Sequence, residues 1–129
     1  MAGVVLDASA ILALLKSEAG ADKVAGVLDE AVVSTVNYAE VVSHYAKGGS
    51  SRERIEEMLD ALPITVVPVD TELGAQAGML RPVTAGAGLS LGDRFCLALA
   101  IQTGLPAWTS DREWKSVEKA IGAKVVVIR

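Results

Sequence analysis

A chain of 129 residues is the size of one domain and too short for two comfortable ones. It is 51% hydrophobic with only 4% aromatic residues, so its core must be built from Val, Leu, Ile and Ala, a composition that suits parallel strands covered by helices. The single cysteine excludes an internal disulfide, one Cys and one His do not by themselves make a four-ligand zinc shell, and the net charge of −4 argues against a general electrostatic grip on nucleic acid.

The start, from Met1 to Leu15, is apolar in the manner of a signal peptide, but no positive residue precedes the apolar stretch and Asp7 interrupts it. No run reaches the ~18 apolar residues of a membrane helix. The expectation is a cytoplasmic protein with no membrane partner, its Cys96 a buried small hydrophobe in a reducing compartment.

Gly3-Val4-Val5-Leu6 reads as a first strand, followed by Asp7. Ser9 is placed to cap a helix from Ala10 to Lys16, and a second helix is predicted from Ala21 to Leu28. Ala31-Val32-Val33 is a second strand, ended by Ser34-Thr35. Asn37 to Lys47 reads as a helix closed by Gly48-Gly49. Ser50 with Glu53 forms a capping-box pattern that opens a helix to Leu62, whose Ile55, Met58, Leu59 and Leu62 make an apolar stripe. Ile64 to Val67 is a β-branched third strand. Asp70 caps a helix to about Leu80, and Pro82 to Gly88 reads as a loop. Ser90 opens a largely apolar, hence central, helix that Gly104 stops near Thr103. Ala107-Trp108-Thr109 is a fourth strand, Asp111 to Glu118 a short helix, and Lys124 to Ile128 a last strand. Strands alternating with helices predict a single α/β domain over residues 1–129, a three-layer α/β/α sandwich with a parallel sheet of about five strands.

Ligands of open α/β sheets bind beyond the carboxyl ends of the strands. Asp7 follows strand one, Asp111 follows strand four by two residues, Asp93 lies in the first turn of the central helix, and Glu40 lies one turn into the helix after strand two. Parallel strands bring all four to one edge. Two unit charges 4 Å apart cost about 4 kcal/mol at an effective dielectric near 20, so such a cluster must take up protons or cations. Hard oxygen donors select Mg²⁺ or Mn²⁺, and a paired site of that kind suits in-line displacement at phosphorus. Taken singly, each acid has a plain alternative as a helix cap: Ser90 to Asp93 and Asn37 to Glu40 both have capping-box form, and Asp7 and Asp111 can be N-caps.

These residues also carry a resemblance. Val5-Leu6-Asp7-Ala8-Ser9-Ala10, Ser34-Thr35-Val36-Asn37-Tyr38-Ala39-Glu40, Leu91-Gly92-Asp93 and Thr109-Ser110-Asp111-Arg112-Glu113-Trp114 resemble, in order, the four motifs of PIN-domain nucleases. Length and architecture are most similar to VapC-type toxins of bacterial and archaeal toxin–antitoxin pairs. The resemblance implies Asp7, Glu40, Asp93 and Asp111 as Mg²⁺ or Mn²⁺ ligands, with Glu113 a nearby substitute for Asp111. It implies Ser9 and Thr109 as hydrogen-bonding supports, endonucleolytic hydrolysis of RNA (tRNA or ribosomal RNA among possible substrates), a homodimer, and a cognate antitoxin that blocks the site.

Other residues carry weaker signals. Arg94 and Arg112 each follow a proposed ligand and are candidates for RNA phosphate contacts, or else surface charges. Lys47, Arg52 and Arg54 read first as a solvated face. His44 shares a helix face with Glu40, with a structural role favoured. Trp108 and Trp114 have the chemistry to stack on bases, though core packing is favoured for Trp108. Apolar residues of the first helix (Ile11, Leu12, Leu15) and the fourth (Ile55, Met58, Leu59) are candidates for a groove that takes an antitoxin helix, provided they are not buried in the monomer. Two rival readings share parts of the pattern: a phosphoryl-receiver domain using Asp7, Asp70, Thr109 and Lys124, and a non-catalytic RNA- or protein-binding module on a PIN-like fold. A phosphatase with Asp7 as nucleophile would want a second Asp where Ser9 stands.

Overall fold

A computed structural model describes residues 3–129. Five parallel strands, β1 (Val4–Leu6), β2 (Ala31–Ser34), β3 (Thr65–Val67), β4 (Ala107–Thr109) and β5 (Val125–Val127), form one sheet in the order β3-β2-β1-β4-β5. Period-two alternation sends Val4 and Leu6 to one face and Val5 to the other, and all three are buried, which is what a central strand covered on both sides requires. One face is covered by α1 (Ala8–Leu15), α3 (Thr35–Lys47) and α4 (Arg52–Asp60), through Ile11, Val41, Ile55 and Leu59. The other is covered by α5 (Thr71–Met79) and α7 (Leu91–Thr103), with Trp114 beside them. As its apolar circumference predicts, α7 is buried almost continuously from Phe95 to Ala100. This is the three-layer α/β/α arrangement expected.

Several boundaries differ from the sequence reading, each for a local reason. The cap of α1 is Asp7 rather than Ser9: Asp7 is extended, and its carboxylate accepts the Ala10 N–H at 2.8 Å. The second helix, α2 (Ala21–Ala25), stops short of Leu28, and a 3-10 turn over Leu28–Glu30 leads into β2. Helix α3 starts at Thr35 because Ser34, not Asn37, is its cap and accepts the Asn37 N–H at 3.1 Å. Ser51 rather than Ser50 caps α4. The predicted loop of Pro82 to Gly88 is instead α6 (Arg81–Thr84) and a 3-10 turn (Ala85–Ala87); Pro82 stands in the first helical turn, where its missing N–H costs nothing. Asp111 to Glu118 divides into a 3-10 helix (Arg112–Val117) and α8 (Glu118–Ile121).

The chain builds outward from β1 in one direction through β2 to β3, then crosses over to β4 and β5 on the other side. The order therefore reverses between β1 and β4, and the crevice at their carboxyl ends is the ligand position of an open α/β sheet. A receiver domain has the order 2-1-3-4-5, so the topology removes that rival. Asp70, which it needed, caps α5 and binds the Leu73 N–H at 2.9 Å.

Candidate functional site

Asp7 and Thr109 stand on the two lips of the crevice, one directly after β1 and one ending β4. Both side chains are buried, and the Thr109 hydroxyl donates to Asp7 Oδ2 at 2.6 Å. The Ser9 hydroxyl contributes from α1, 2.7 Å from Oδ1 and 2.9 Å from Oδ2. Both supporting hydroxyls are anchored in turn: Thr109 Oγ1 accepts the Asp111 N–H at 3.1 Å, and Ser9 Oγ accepts the Ser110 N–H at 2.9 Å. Burial outweighs these hydrogen bonds and, with a smaller push from the Asp93 charge, lifts the Asp7 pKa from 3.8 to about 6.

Glu40 reaches the same edge from α3. Its support is Asn37, buried beneath it, whose amide donates to Glu40 Oε1 at 2.7 Å and to the Gly92 carbonyl at 3.1 Å. Ser34 Oγ donates to the Asn37 amide oxygen at 2.9 Å, which completes the link from β2 through α3 to α7. Gly92 makes the approach possible: a β-carbon there would lie 2.6 Å from Glu40 Cδ. Glu40 is exposed as a residue, yet its carboxylate rests against the first turn of α7. The partial loss of water, joined by the Asp93 charge, raises its pKa.

Asp93 is the electrostatic centre of the group. Its charge is felt by both Asp7 and Glu40, and burial followed by repulsion from Asp111 raises its own pKa. Asp111, rather than Glu113, is thus the acid that faces Asp93. Arg94 offsets part of this repulsion. It is not the surface charge expected: only 7% exposed, it lies along α7 with Nε donating to the Ser90 carbonyl at 3.3 Å. Beneath the acids, Cys96 is buried, and burial with the charges of Asp7, Asp93 and Glu40 holds its thiol well above the usual range.

The four carboxylates share an edge but do not close on one point. Among the described residues no three Asp, Glu, His or Cys side chains are drawn tightly enough to hold a metal ion as they stand. Two of the acids face backbone donors instead. Asp93 Oδ2 accepts the Ser90 N–H at 2.9 Å in a reciprocal capping box, and Asp111 Oδ1 accepts the Glu113 N–H at 2.9 Å. Mutual repulsion favours this turning away. The donor chemistry fits a hard divalent cation all the same: the four acids offer carboxylate oxygens, and one of them, Asp7, is buried at a cost of ionisation that a cation would relieve.

The remaining sequence candidates stand apart. His44 is exposed and packs edge-on against Tyr45 with ring centroids 5.1 Å apart. Trp114 is fully buried in the core, its indole nitrogen without a hydrogen-bond partner, so it presents no face to a base. Trp108 is half-buried against the α1–α3 layer. Ile11, Ile55 and Leu59 are core residues, so only Leu12, Leu15 and Met58 keep partial exposure and the groove expected from both stripes is not there. Sequence reading missed Asn37 as the support of Glu40, because an Asn three residues before a Glu looks like a cap. It also missed Gly92, whose role depends on a contact between helices, and Arg129, which flanks Asp111 across a pocket of about 580 Å³ together with Ser110 and Arg112.

Comparison with known proteins agrees with this architecture. A sequence comparison with curated proteins gives no match. Among solved structures, a toxin–antitoxin complex from Klebsiella pneumoniae is similar with a TM-score of 0.75 at 16% identity, covering 98% of each chain. A DNA-bound VapBC from Salmonella typhimurium gives 0.74 at 18% identity over 100% of each chain. VapBC-5 from Mycobacterium tuberculosis gives 0.67 at 21% identity over 98% of this chain and 99% of the other. At such identities the likeness is one of fold. The scan against protein families goes further, since it matches the PIN domain over residues 4–120, a span that runs from β1 past Asp111 and takes in all four acids. The chain belongs to the PIN domain family.

Proposed function

We propose that this chain is a Mg²⁺- or Mn²⁺-dependent endoribonuclease, a single PIN-like nuclease domain over residues 1–129 acting as the toxin of a type II toxin–antitoxin pair. The observation that carries the reading is Asp7: a buried carboxylate at the switch point of the sheet, held by two hydroxyls and pressed by the charge of Asp93. A structural cap gains nothing from such surroundings, since a solvated cap performs the same task without the cost of burial.

Asp7, Glu40, Asp93 and Asp111 would hold the cations. A divalent ion bound there supplies Lewis acidity, making a water more acidic and neutralising charge on phosphate oxygens. The chain's own part is to fix donors in place. Ser9 and Thr109 hold both Asp7 oxygens, so its orientation is set before any ligand arrives. Asn37 does the same for Glu40. Asp93 and Asp111 are held by backbone N–H groups they can exchange for a cation by side-chain rotation. Two divalent ions would offset the chain's net charge of −4 and let a polyanion approach.

The solved structures of similar fold include VapBC complexes, some bound to DNA, and one toxin–antitoxin complex. They support an antitoxin partner; a homodimer and RNA substrates such as tRNA or ribosomal RNA enter the proposal as what the resemblance to VapC-type toxins implies, and a cytoplasmic setting enters it from the sequence. No helix among the described residues is long and apolar enough to cross a membrane. Incubation with cellular RNA and Mg²⁺ or Mn²⁺ tests the proposal: the wild type cleaves, and EDTA or Asp7→Asn abolishes cleavage. Undiminished cleavage by Asp7→Asn refutes the mechanism. No cleavage under any divalent metal favours the non-catalytic binding module instead.

A further inference from the structure

We propose that the pocket beyond Asp111 is a binding subsite for an RNA phosphate next to the one being cut, with Arg112 and Arg129 as its two cationic arms. The inference rests on the nuclease reading above and extends it along the substrate.

The pocket, about 580 Å³, is lined by Ser110, Asp111, Arg112 and Arg129 and shares Asp111 with the acid edge. Its two arginines come from different parts of the chain, one after β4 and one after β5. Register explains why they meet: β4 and β5 are parallel neighbours with Thr109 opposite Val127, so the segments leaving them run side by side. Arg129 is fixed at its root, since its Nε donates to the Ser110 carbonyl at 3.2 Å. Ser110 in turn donates its N–H to Ser9 Oγ, and Ser9 donates to Asp7. A continuous run of hydrogen bonds, Asp7–Ser9–Ser110–Arg129, thus sets the guanidinium at a defined place relative to the buried carboxylate.

The charges point to what belongs there. The ion pairs among the described residues are Lys16–Glu18, Arg52–Glu56 and Lys115–Glu118, and neither Arg112 nor Arg129 takes part in one. Both arginines are exposed beside an acid yet unpaired with it. With Nε of Arg129 spent on a carbonyl, its terminal nitrogens stay free to face the pocket. Two guanidinium forks around one space match the oxygens of a phosphate diester, which accepts their hydrogen bonds in pairs. On a chain of net charge −4, an unpaired cationic couple next to the acid edge is where a polyanion can be held. Asp111 opposes a phosphate in the same space, but its single charge is outnumbered by the two guanidinium groups.

Filter binding of total cellular RNA in Mg²⁺, in an Asp7→Asn background that does not cut, tests the subsite. Arg112→Gln or Arg129→Gln is expected to weaken binding about tenfold, as for loss of one charge-assisted hydrogen-bond pair. Each also lowers the slope of log affinity against log salt by about 1. Arg129→Lys keeps the slope and recovers only part of the affinity. Unchanged affinity and slope in both Gln variants overturn the proposal, as does absence of RNA binding by the Asp7→Asn protein. RNA binding indifferent to the arginines, together with poly-glutamate binding that depends on them, assigns the pocket to an acidic protein segment and overturns it too. Cleavage by the wild type decides the nuclease reading separately: cleavage with arginine-independent binding removes the subsite alone, and arginine-dependent binding without cleavage removes the nuclease alone.

Discussion

Asp7 caps α1 with a carboxylate that the fold has stripped of water. Its pKa of about 6, against 3.8 in an open chain, means that ionising it within the metal-free protein costs about 3 kcal/mol at 1.4 kcal/mol per tenfold. The sign follows from the folded value being the higher one. Protonated Asp7 favours the fold, so its contribution is full below pH 3.8, falls as pH rises towards 6, and is lost above that. Glu40 and Asp93 are displaced in the same direction, whereas the Glu118 carboxylate, lowered by the Val125 N–H, acts in the opposite one. Metal-free Asp7→Asn should therefore melt several degrees above the wild type at pH 7, with less pH dependence between 4 and 6. Thermal melts in EDTA across that range check it, and an Asn variant no more stable than the wild type at pH 7 contradicts the burial cost. Asp7 itself is readable from the sequence as an acid placed after a strand. Its displacement is not, because that comes from burial, which exists only once distant parts of the chain such as Thr109 close around it.

At the scale of elements, the decisive contact is between α3 and α7. Helix α7 was recognisable from its apolar circumference and its Ser90 capping box, and α3 from its closing Gly48-Gly49, but their close approach was not. That approach depends on the small size of Gly92 and on Asn37 spanning both helices. Gly92→Ala separates the fold from the site. Alanine in place of glycine in a helix gains up to about 1 kcal/mol, and the group it meets is the movable end of Glu40. Displacing Glu40 forfeits its bond from Asn37, worth about 1–1.5 kcal/mol. The two nearly cancel, so the metal-free Tm should shift by only a few degrees while Mg²⁺ affinity drops about tenfold, the lower end of the loss expected when a ligand's support is removed. Isothermal titration with Mg²⁺ alongside a melt checks both halves. The boundaries missed in the sequence, at Ser34 and Ser51, share one cause. Each cap belongs to a residue whose extended backbone is imposed by the preceding strand or turn, and neighbouring serines or asparagines offer the same side-chain chemistry.

For the whole molecule, alternation of strands and helices sufficed to predict the parallel three-layer sheet, because each pattern is set by local periodicity. The strand order was not legible, since nothing in the periodicity of a strand names its neighbours. The acid edge depends on that order, with β1 and β4 adjacent. If the edge takes divalent cations, the folded chain binds them and the unfolded chain does not. Mg²⁺ at 100 times its dissociation constant should then add about 2.7 kcal/mol to stability, with a rise in Tm that EDTA reverses and Asp7→Asn removes. A melting temperature indifferent to Mg²⁺ and Mn²⁺ at millimolar levels would speak for carboxylates with structural roles alone.

The placement of β1 in the middle of the sheet has a consequence for biosynthesis. During synthesis β1 meets one neighbour with β2, but its other side stays unpaired until β4 is made, and the Asp7–Thr109 bond spans 102 residues. A nascent chain halted anywhere before Thr109 has its first acid but neither the crevice nor the partner that orients it. Whatever chemistry the pocket performs is therefore withheld from incomplete copies, and assembly of the centre is a late event in folding.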